Sequence, residues 1–166
     1  MRKSDILDGE YKQYFPSGKL CMSSQYVKGV LHGESICYFA NGNVASKTTF
    51  NNGLKEGLAC FYYPSGALHH VCSYAQGALS GVQRYYYETG ALRCEMSFEN
   101  GALHGKASLF YPDGKIYREI ELEMGKRQGL DCSYDEDGLI QFALEYEKGS
   151  FLKAQIEDSI AKMYGL

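Results

Sequence analysis

Histidine, acidic and serine side chains could hold a metal ion or carry out catalysis, but their spacing in this chain favours neither. The four histidines are His32, His69, His70 and His104. His32 and His104 lie far apart, and His69 and His70, as neighbours in a strand, are expected to point to opposite faces. The acidic run at 135–137 lacks the spacing of a calcium loop, and no serine lies in a nucleophile elbow. We therefore predict a non-enzymatic protein with no catalytic residues, no metal site and no cofactor.

The six cysteines are spread along the chain without a Cys-x-x-Cys pair. They are Cys21, Cys37, Cys60, Cys72, Cys94 and Cys132. A disulfide framework or a zinc site normally shows tighter spacing, so we interpret them as reduced, half-buried side chains in a reducing compartment. The N-terminal residues contain no apolar core of signal-peptide length, and no stretch is long enough to span a bilayer. These features predict a cytoplasmic protein, although a secreted protein whose leader had been removed would show the same sequence.

The composition is rich in aromatic residues and weakly acidic. The chain of 166 residues contains 15 Tyr and 8 Phe but no Trp, and its formal net charge is −3. Nucleic-acid binding requires a basic patch, so the charge argues against that class of partner. It also argues against electrostatic docking on an anionic membrane.

Glycine recurs with a period of 24 residues and defines the elements that place all of these side chains. The series are Gly9, Gly33, Gly57, Gly81, Gly105 and Gly129; Gly18, Gly42, Gly66, Gly90, Gly114 and Gly138; and Gly29, Gly53, Gly77, Gly101, Gly125 and Gly149. A fixed period in this range indicates a repeat array. We predict six repeats over residues 9–152, preceded by an incomplete repeat at 1–8. Residues 153–166 show helical spacing of apolar side chains and predict an amphipathic helix that caps the last strand.

Each repeat is predicted to contain two strands and two turns. A type I turn ends at the Gly18 series, and a two-residue turn such as Asn52-Gly53 leads into the next repeat. The second strand places Ser24 and its repeat equivalents on a core face. To bring Ile36 and Tyr38 to that same face, the chain needs a slip of one residue near Gly33. A β-bulge at this glycine would supply the slip, and close packing of an aromatic ring over it is the alternative.

The predicted fold class is therefore all-β. It is an elongated, single-layer antiparallel β-hairpin array of about twelve strands, which forms a twisted meander with a short C-terminal capping helix. Open sheet edges would allow two copies to pair as a homodimer.

The segment FENGALHGKASLFYPDG (98–114) resembles the MORN repeat. The usual Trp is replaced by Tyr or Phe, and the second Gly of the His-Gly-x-Gly motif is Ala107, which makes the chain similar to the MORN-variant group. The resemblance covers residues 9–152. It implies a protein-interaction or lipid-associating platform, and in bacterial members an antitoxin-like role.

The odd positions of the first strands carry a second set of aromatic residues, beside the set on the opposite face. A single-layer sheet cannot bury both faces, and exposed aromatic surface is typical of a binding site. We predict that a protein or peptide binds there through Phe39, Phe61, Tyr63, Tyr85, Tyr87 and Tyr111. Alternatively, these rings stack between repeats and stabilise the sheet. A carbohydrate-binding array and a lipid-associating platform are further alternatives, the former weakened by the absence of Trp.

Overall fold

The computed structural model describes residues 7–154, and these residues form strands and turns with no helix. No helix in this part of the chain is long and apolar enough to cross a membrane. Of the helix predicted at 153–166, Lys153 and Ala154 lie instead in the last strand, and the remainder falls outside the described residues. The described strands number fourteen rather than about twelve.

Unit 1 is compact and comprises Met1–Ser80 with Glu88–Gly90. Its strands are β1 (Gly9–Tyr14), β2 (Leu20–Val27), β3 (Val30–Tyr38), β4 (Val44–Asn51), β5 (Leu54–Tyr62), β6 (Leu68–Ala75) and the short β7 (Ala78–Leu79). Each strand pairs antiparallel with the one before it. The unit is thus a meander of hairpins in sequence order, as the repeats predict.

Unit 2 comprises Gly81–Tyr87 with Ala91–Leu166. Its strands are β8 (Gly81–Tyr86), β9 (Leu92–Glu99), β10 (Ala102–Phe110), β11 (Ile116–Glu123), β12 (Lys126–Tyr134), β13 (Ile140–Glu147) and β14 (Ser150–Ala154). These strands also form an antiparallel meander in sequence order. The prediction of an all-β hairpin array is therefore confirmed within each unit.

Both predicted turns are present. The Gly66 amide donates to the Tyr63 carbonyl oxygen at 2.8 Å, which closes a four-residue turn, and Gly66 has a φ of 94°. In the second turn, Asn52 and Gly53 have φ values of 49° and 81°, as a two-residue hairpin of type I′ requires. The non-glycine partner of each second turn also has a positive φ, so the turn chemistry repeats with the sequence.

Each unit has two faces, which we call face A and face B. Face A carries a row of directly paired residues, because such pairs share a face. In unit 1 this row is Tyr11, Ser24, Ser35, Thr48, Ala59 and Cys72. In unit 2 it is Gln83, Met96, Ala107, Ile120, Asp131 and Leu144. The residues next to these along each strand lie on face B. They include Lys12, Lys47 and Cys60 in unit 1 and Arg84, Glu95 and Glu119 in unit 2.

The expected slip of one residue near Gly33 is wrong, because the strands slip there by two residues. Tyr26 pairs with Leu31, and Ser24 pairs with Ser35, so three residues of β3 lie opposite one residue of β2. An even slip leaves the facing of β3 unchanged. Ser35 and the other odd positions of the first strands therefore share face A with Ser24, whereas Ile36 lies on face B. An added Cβ at Gly33 would meet the Cβ of Gln25 at 3.3 Å rather than an aromatic ring.

Small side chains fill much of the centre of face A and are among its most buried groups, together with Gln83 and Asp131 in unit 2. Ser24, Ala59 and Cys72 are 1%, 0% and 3% exposed, although each unit is a single layer in the described chain. Longer side chains from the flanking rows of face A must therefore cover them. Side chains that face each other across neighbouring strands contribute about 0.2–1 kcal/mol per pair to stability. The larger aromatic side chains remain only half-buried, and this property bears directly on function.

Candidate interaction surface

The six predicted partner-binding residues occupy two kinds of position, and all are half-buried. Phe61 and Tyr85 lie within strands on face A, paired with His70 and Cys94. The other four occupy the first position after a strand, where the type I turn begins: Phe39, Tyr63, Tyr87 and Tyr111. These four residues are not in register with Phe61 and Tyr85, because the pairing of the two strands ends one residue before each of them.

Four rings meet where β5 ends and β6 begins in unit 1. The imidazole of His70 stacks on the ring of Phe61, with centroids 4.0 Å apart and planes 7° from parallel. His69 lies 4.9 Å from His70 and 4.6 Å from Tyr63, centroid to centroid. The Nδ1 atoms of the two histidines are 3.2 Å apart, so one ring can donate to the other. We call Phe61, Tyr63, His69 and His70 the unit 1 ring cluster.

The expectation that His69 and His70 point to opposite faces is wrong. Phe61 pairs with His70, but Tyr62 pairs with Leu68, so His69 is an extra residue in β6. A bulge of this kind redirects the side chain of the inserted residue. It brings both imidazoles to the same side, where they contact the rings of Phe61 and Tyr63.

The surroundings of His70 favour its neutral form. Burial, together with the neighbouring His69, lowers the pKa of His70 from 6.5 to about 4. Burial acts in this direction because it disfavours the charged imidazolium. At neutral pH the unit 1 ring cluster is therefore uncharged at His70 and presents a mainly apolar, aromatic surface.

Tyr87 and Tyr111 in unit 2 connect neighbouring hairpins through their hydroxyl groups. The Tyr87 hydroxyl donates to the carbonyl oxygen of Phe110 at 2.8 Å, and the Tyr111 hydroxyl donates to that of Tyr134 at 3.0 Å. The ring of Tyr111 also packs on Tyr117 at 5.2 Å between centroids. These contacts agree with a stabilising role for the two hydroxyls, while the exposed parts of the rings remain accessible.

An ion cluster interrupts the apolar central row of unit 2. Asp131 is fully buried, and Arg118 binds it through Nε and Nη2, each 2.9 Å from a carboxylate oxygen. Arg127 Nη1 lies 3.4 Å from the same carboxylate and 2.7 Å from the hydroxyl of Tyr146. The hydrogen bonds to Asp131 raise the pKa of Arg118 above its ordinary value. Sequence reasoning missed this cluster, although comparing repeats would show Asp131 where Ala59 and Ala107 stand.

A second missed feature, present in several repeats, is a polar residue directly before a glycine of the Gly9 series. His32 Nδ1 accepts from the Asn52 amide at 3.4 Å, Glu56 from the Gln76 amide at 2.8 Å, and Gln128 from the Lys148 amide at 2.8 Å. Each donor is the first residue of the next two-residue turn. These side chains cap turns, so the histidine at 32 has a structural role rather than a ligand role.

Two further observations concern the titratable side chains within residues 7–154. No three of the His, Cys, Asp and Glu side chains there lie close enough together to hold a metal ion. All six cysteines carry free thiols. Burial raises the pKa of the Cys72, Cys94 and Cys132 thiols, which lowers their reactivity as nucleophiles.

Comparison with protein families identifies the repeats. The family model described as MORN repeat variant matches residues 7–28, 31–52, 79–100 and 103–123, which together are more than half of the chain. The model described as MORN repeat matches residues 49–68. The comparison with curated proteins gave no match.

Solved structures show only distant similarity. One chain, described as belonging to the crystal structure of a GtfA/B complex, is 12% identical with a TM-score of 0.34. The match covers 98% of this protein but only 25% of that chain, so this protein spans about a quarter of its length. A porin-like protein from Bacteroides uniformis ATCC 8492 is 8% identical with a TM-score of 0.27, and 86% of each chain is covered. TM-scores this low do not bear on the fold or the function.

Proposed function

Since the chain belongs to the MORN repeat variant family, we propose that it is a non-enzymatic module that binds a protein or peptide through the aromatic residues of face A and the adjoining turns. Repeats of this kind typically serve as protein or membrane-lipid interaction modules and are generally non-enzymatic. The observation that supports the proposal best is the unit 1 ring cluster. Its four rings are held in contact with one another and yet are only half-buried.

The chemistry of the cluster suits a protein partner. Rigid aromatic side chains provide large contact areas at low entropic cost and are enriched among the residues that dominate binding energies. Phe61 and Tyr63 are the proposed anchors in unit 1, with Phe39 beside the preceding turn. Tyr85, Tyr87 and Tyr111 are the corresponding proposed contacts in unit 2.

The test is quantitative co-purification with a matched control. The double variant Phe61→Ala/Tyr63→Ala removes both anchors, and Tyr14→Ala removes a tyrosine of the same unit that is 60% exposed. We expect the double variant to bind its partner about ten-fold or more weakly, and Tyr14→Ala to bind as the wild type does. Thermal unfolding confirms that both variants fold. If the folded double variant retained every partner at wild-type affinity, the unit 1 ring cluster would not be the binding site.

A finer proposal is an antitoxin-like role, in which the bound partner is a toxic protein held inactive. The family resemblance supports this role, and it is tested separately from binding. Expression of the identified partner alone should arrest growth, and co-expression of the wild type but not of the double variant should restore it. A partner that is harmless on its own would overturn the antitoxin role and leave the interaction intact.

We also propose a reducing, cytoplasmic location, which the six scattered free thiols support. Carbohydrate and lipid binding remain alternatives to a protein partner. Specific signals on a glycan array would favour the first, and co-sedimentation with acidic liposomes would favour the second.

A further inference from the structure

Face A of unit 2 carries two cations in an otherwise apolar surface. Ile120 and Leu144 pair directly with Asp131 in the central row and are half-buried apolar residues, and the half-buried Met96 lies further along the same row. Arg118 and Arg127 are 30% and 42% exposed, whereas the one carboxylate of the cluster is fully buried. Solvent therefore meets two guanidinium groups and no carboxylate oxygen at this place.

The two guanidinium groups are held in place by several contacts. Arg118 is fixed by two hydrogen bonds to Asp131 and lies over the ring of Phe142 at 5.6 Å. Arg127 lies over the ring of Tyr146 at 5.0 Å and binds its hydroxyl. Such contacts reduce the freedom that a long side chain would lose when a ligand binds.

The charge of the cluster is not balanced. Two guanidiniums share one carboxylate, which leaves one net positive charge on this part of face A. Arg118 binds Asp131 through Nε and Nη2. Its Nη1 makes no hydrogen bond to any of the described residues. A guanidinium can bind a carboxylate through two parallel N–H groups, so donors remain for a second carboxylate beside the first.

Face B of the same unit has the opposite character. Its central row carries Glu95 and Glu119, which are already paired with Arg84 and Lys106. An acidic ligand would meet carboxylates there, whereas on face A it meets cations that are only partly neutralised. Charge complementarity thus selects both the face and the chemistry of its partner.

We propose that face A of unit 2 is a docking surface for an acidic peptide segment. A Glu or Asp side chain of the segment binds Arg118 and Arg127, and its apolar side chains lie on the neighbouring apolar positions of the face. This proposal rests on the function proposed above, in which face A binds a protein or peptide, and adds the chemistry of the partner at unit 2. It depends on neither Phe61 nor Tyr63.

The probe is a capped eight-residue peptide of alternating leucine and glutamate, compared with the same peptide carrying glutamine for glutamate. Fluorescence anisotropy measures its affinity for the wild type, for Arg127→Gln and for the control Lys115→Gln, whose lysine lies on an exposed turn. We expect the glutamate peptide to bind the wild type and Lys115→Gln about ten-fold more tightly than the glutamine peptide. We expect Arg127→Gln to lose this preference. Equal affinity of the wild type for both peptides, or an unchanged preference in Arg127→Gln, would overturn the proposal.

A measurement on the wild type covers the case in which Arg127→Gln does not fold. The Nε–H resonances of Arg118 and Arg127 in NMR spectra should shift on addition of the glutamate peptide, while those of Arg84 and Arg93 should not. Binding without movement of the Arg118 and Arg127 resonances would place the peptide elsewhere and contradict the proposal. Neither measurement involves the unit 1 ring cluster. A negative result here would overturn the proposed peptide site on unit 2 and leave the proposed role of that cluster standing.

Discussion

At the scale of single residues, His70 and Asp131 are two ionisable side chains of face A whose neighbours favour one protonation or pairing state. His70 is stacked on Phe61 and kept neutral by burial. Asp131 is removed from solvent and compensated by Arg118 and Arg127. Each stands where other repeats carry a smaller or less polar side chain, such as Cys94 for His70 and Ala107 for Asp131.

The lowered pKa of His70 predicts a loss of stability in mild acid. The unfolded chain takes up a proton near pH 6.5, whereas the folded chain does so only near pH 4. The contribution of the neutral His70 is therefore complete above pH 6.5 and is lost as the pH falls toward 4. Allowing for partial exposure, we expect about 1–2 kcal/mol of unfolding free energy to be lost over this range.

The comparison is between the wild type and His70→Asn, which cannot titrate. Urea unfolding at pH 7 and at pH 4.5 should show a smaller pH-dependent loss in His70→Asn than in the wild type. Groups distant from this position are the same in both proteins, so the difference reports His70 together with its contact to His69. An identical pH dependence would show that the ring is not kept neutral by the fold.

The buried position of Asp131 predicts a large cost when its charge is removed alone. Asp131→Asn leaves Arg118 without its counter-ion, and because that guanidinium is 30% exposed we expect a cost of about 1–3 kcal/mol. Asp131→Ala/Arg118→Cys restores residues found at the same positions of another repeat, Ala107 and Cys94. Chemical denaturation should show a smaller loss for the double variant than for Asp131→Asn. If the double variant were as unstable as Asp131→Asn, packing rather than charge would determine the stability of this site.

At the scale of strands and turns, the two-residue turns at Gly53, Gly77, Gly125 and Gly149 are fastened to the preceding repeat by backbone hydrogen bonds. The Gly77 amide donates to the Lys55 carbonyl oxygen at 2.9 Å, and the Gln76 amide donates to the Glu56 carboxylate. Val30 likewise lies against Gly53, where an added Cβ would meet its Cγ1 at 3.3 Å. Backbone and side-chain groups of one repeat therefore fix the turn of the next. This contact between neighbouring repeats agrees with the 24-residue period of the sequence.

The capping bond of Glu56 gives a prediction at this scale. Glu56→Ala leaves the Gln76 amide without its acceptor, and we expect a loss of about 1 kcal/mol in unfolding free energy. Glu56→Gln keeps an acceptor oxygen at the same place, as Gln128 does naturally, and should retain most of the stability. The two variants are compared by urea unfolding, and equal losses in both would contradict the capping role.

The turns could be predicted from sequence, but the facing of the strands could not. Gly66 and the Asn52-Gly53 pair have residue types that only certain turn geometries accommodate. The sequence predicts a slip in the strand pairing near Gly33. It does not distinguish a slip of one residue from a slip of two, because a glycine is compatible with both. The bulge at His69 has no compositional signal either, since the inserted residue is Cys21, Ala45, Arg93, Tyr117 or Gln141 in other hairpins.

The candidate surface was predicted in part for the same reasons. The aromatic positions were found because they repeat with the glycines. The contributions of His69 and His70 were missed because they depend on the bulge. The Arg118–Asp131 pair was missed because its residues are adjacent only through the register of β11 and β12.

At the scale of the whole molecule, the strand carboxylates are concentrated on one face of each unit, whereas aromatic residues lie on both faces. Asp131 is the one carboxylate at a face A position of the described strands, and it is buried. The other strand carboxylates, such as Glu34 in unit 1 and Glu119 in unit 2, lie on face B. A net charge of −3 thus coexists with an uncharged or cationic face in each unit, and this division supports face A as the interaction surface.

The most direct test of this account is hydroxyl-radical footprinting of the protein alone and in complex with its co-purified protein partner. The oxidation rates of Phe61 and Tyr63 should fall at least about two-fold in the complex, because bound protein excludes water from hot-spot residues. Tyr38, which shares an open depression with Glu34 and Ile36 on the other side of unit 1, should react at the same rate in both states. Protection of Tyr38 with no change at Phe61 and Tyr63 would contradict the assignment of face A as the surface that binds the partner.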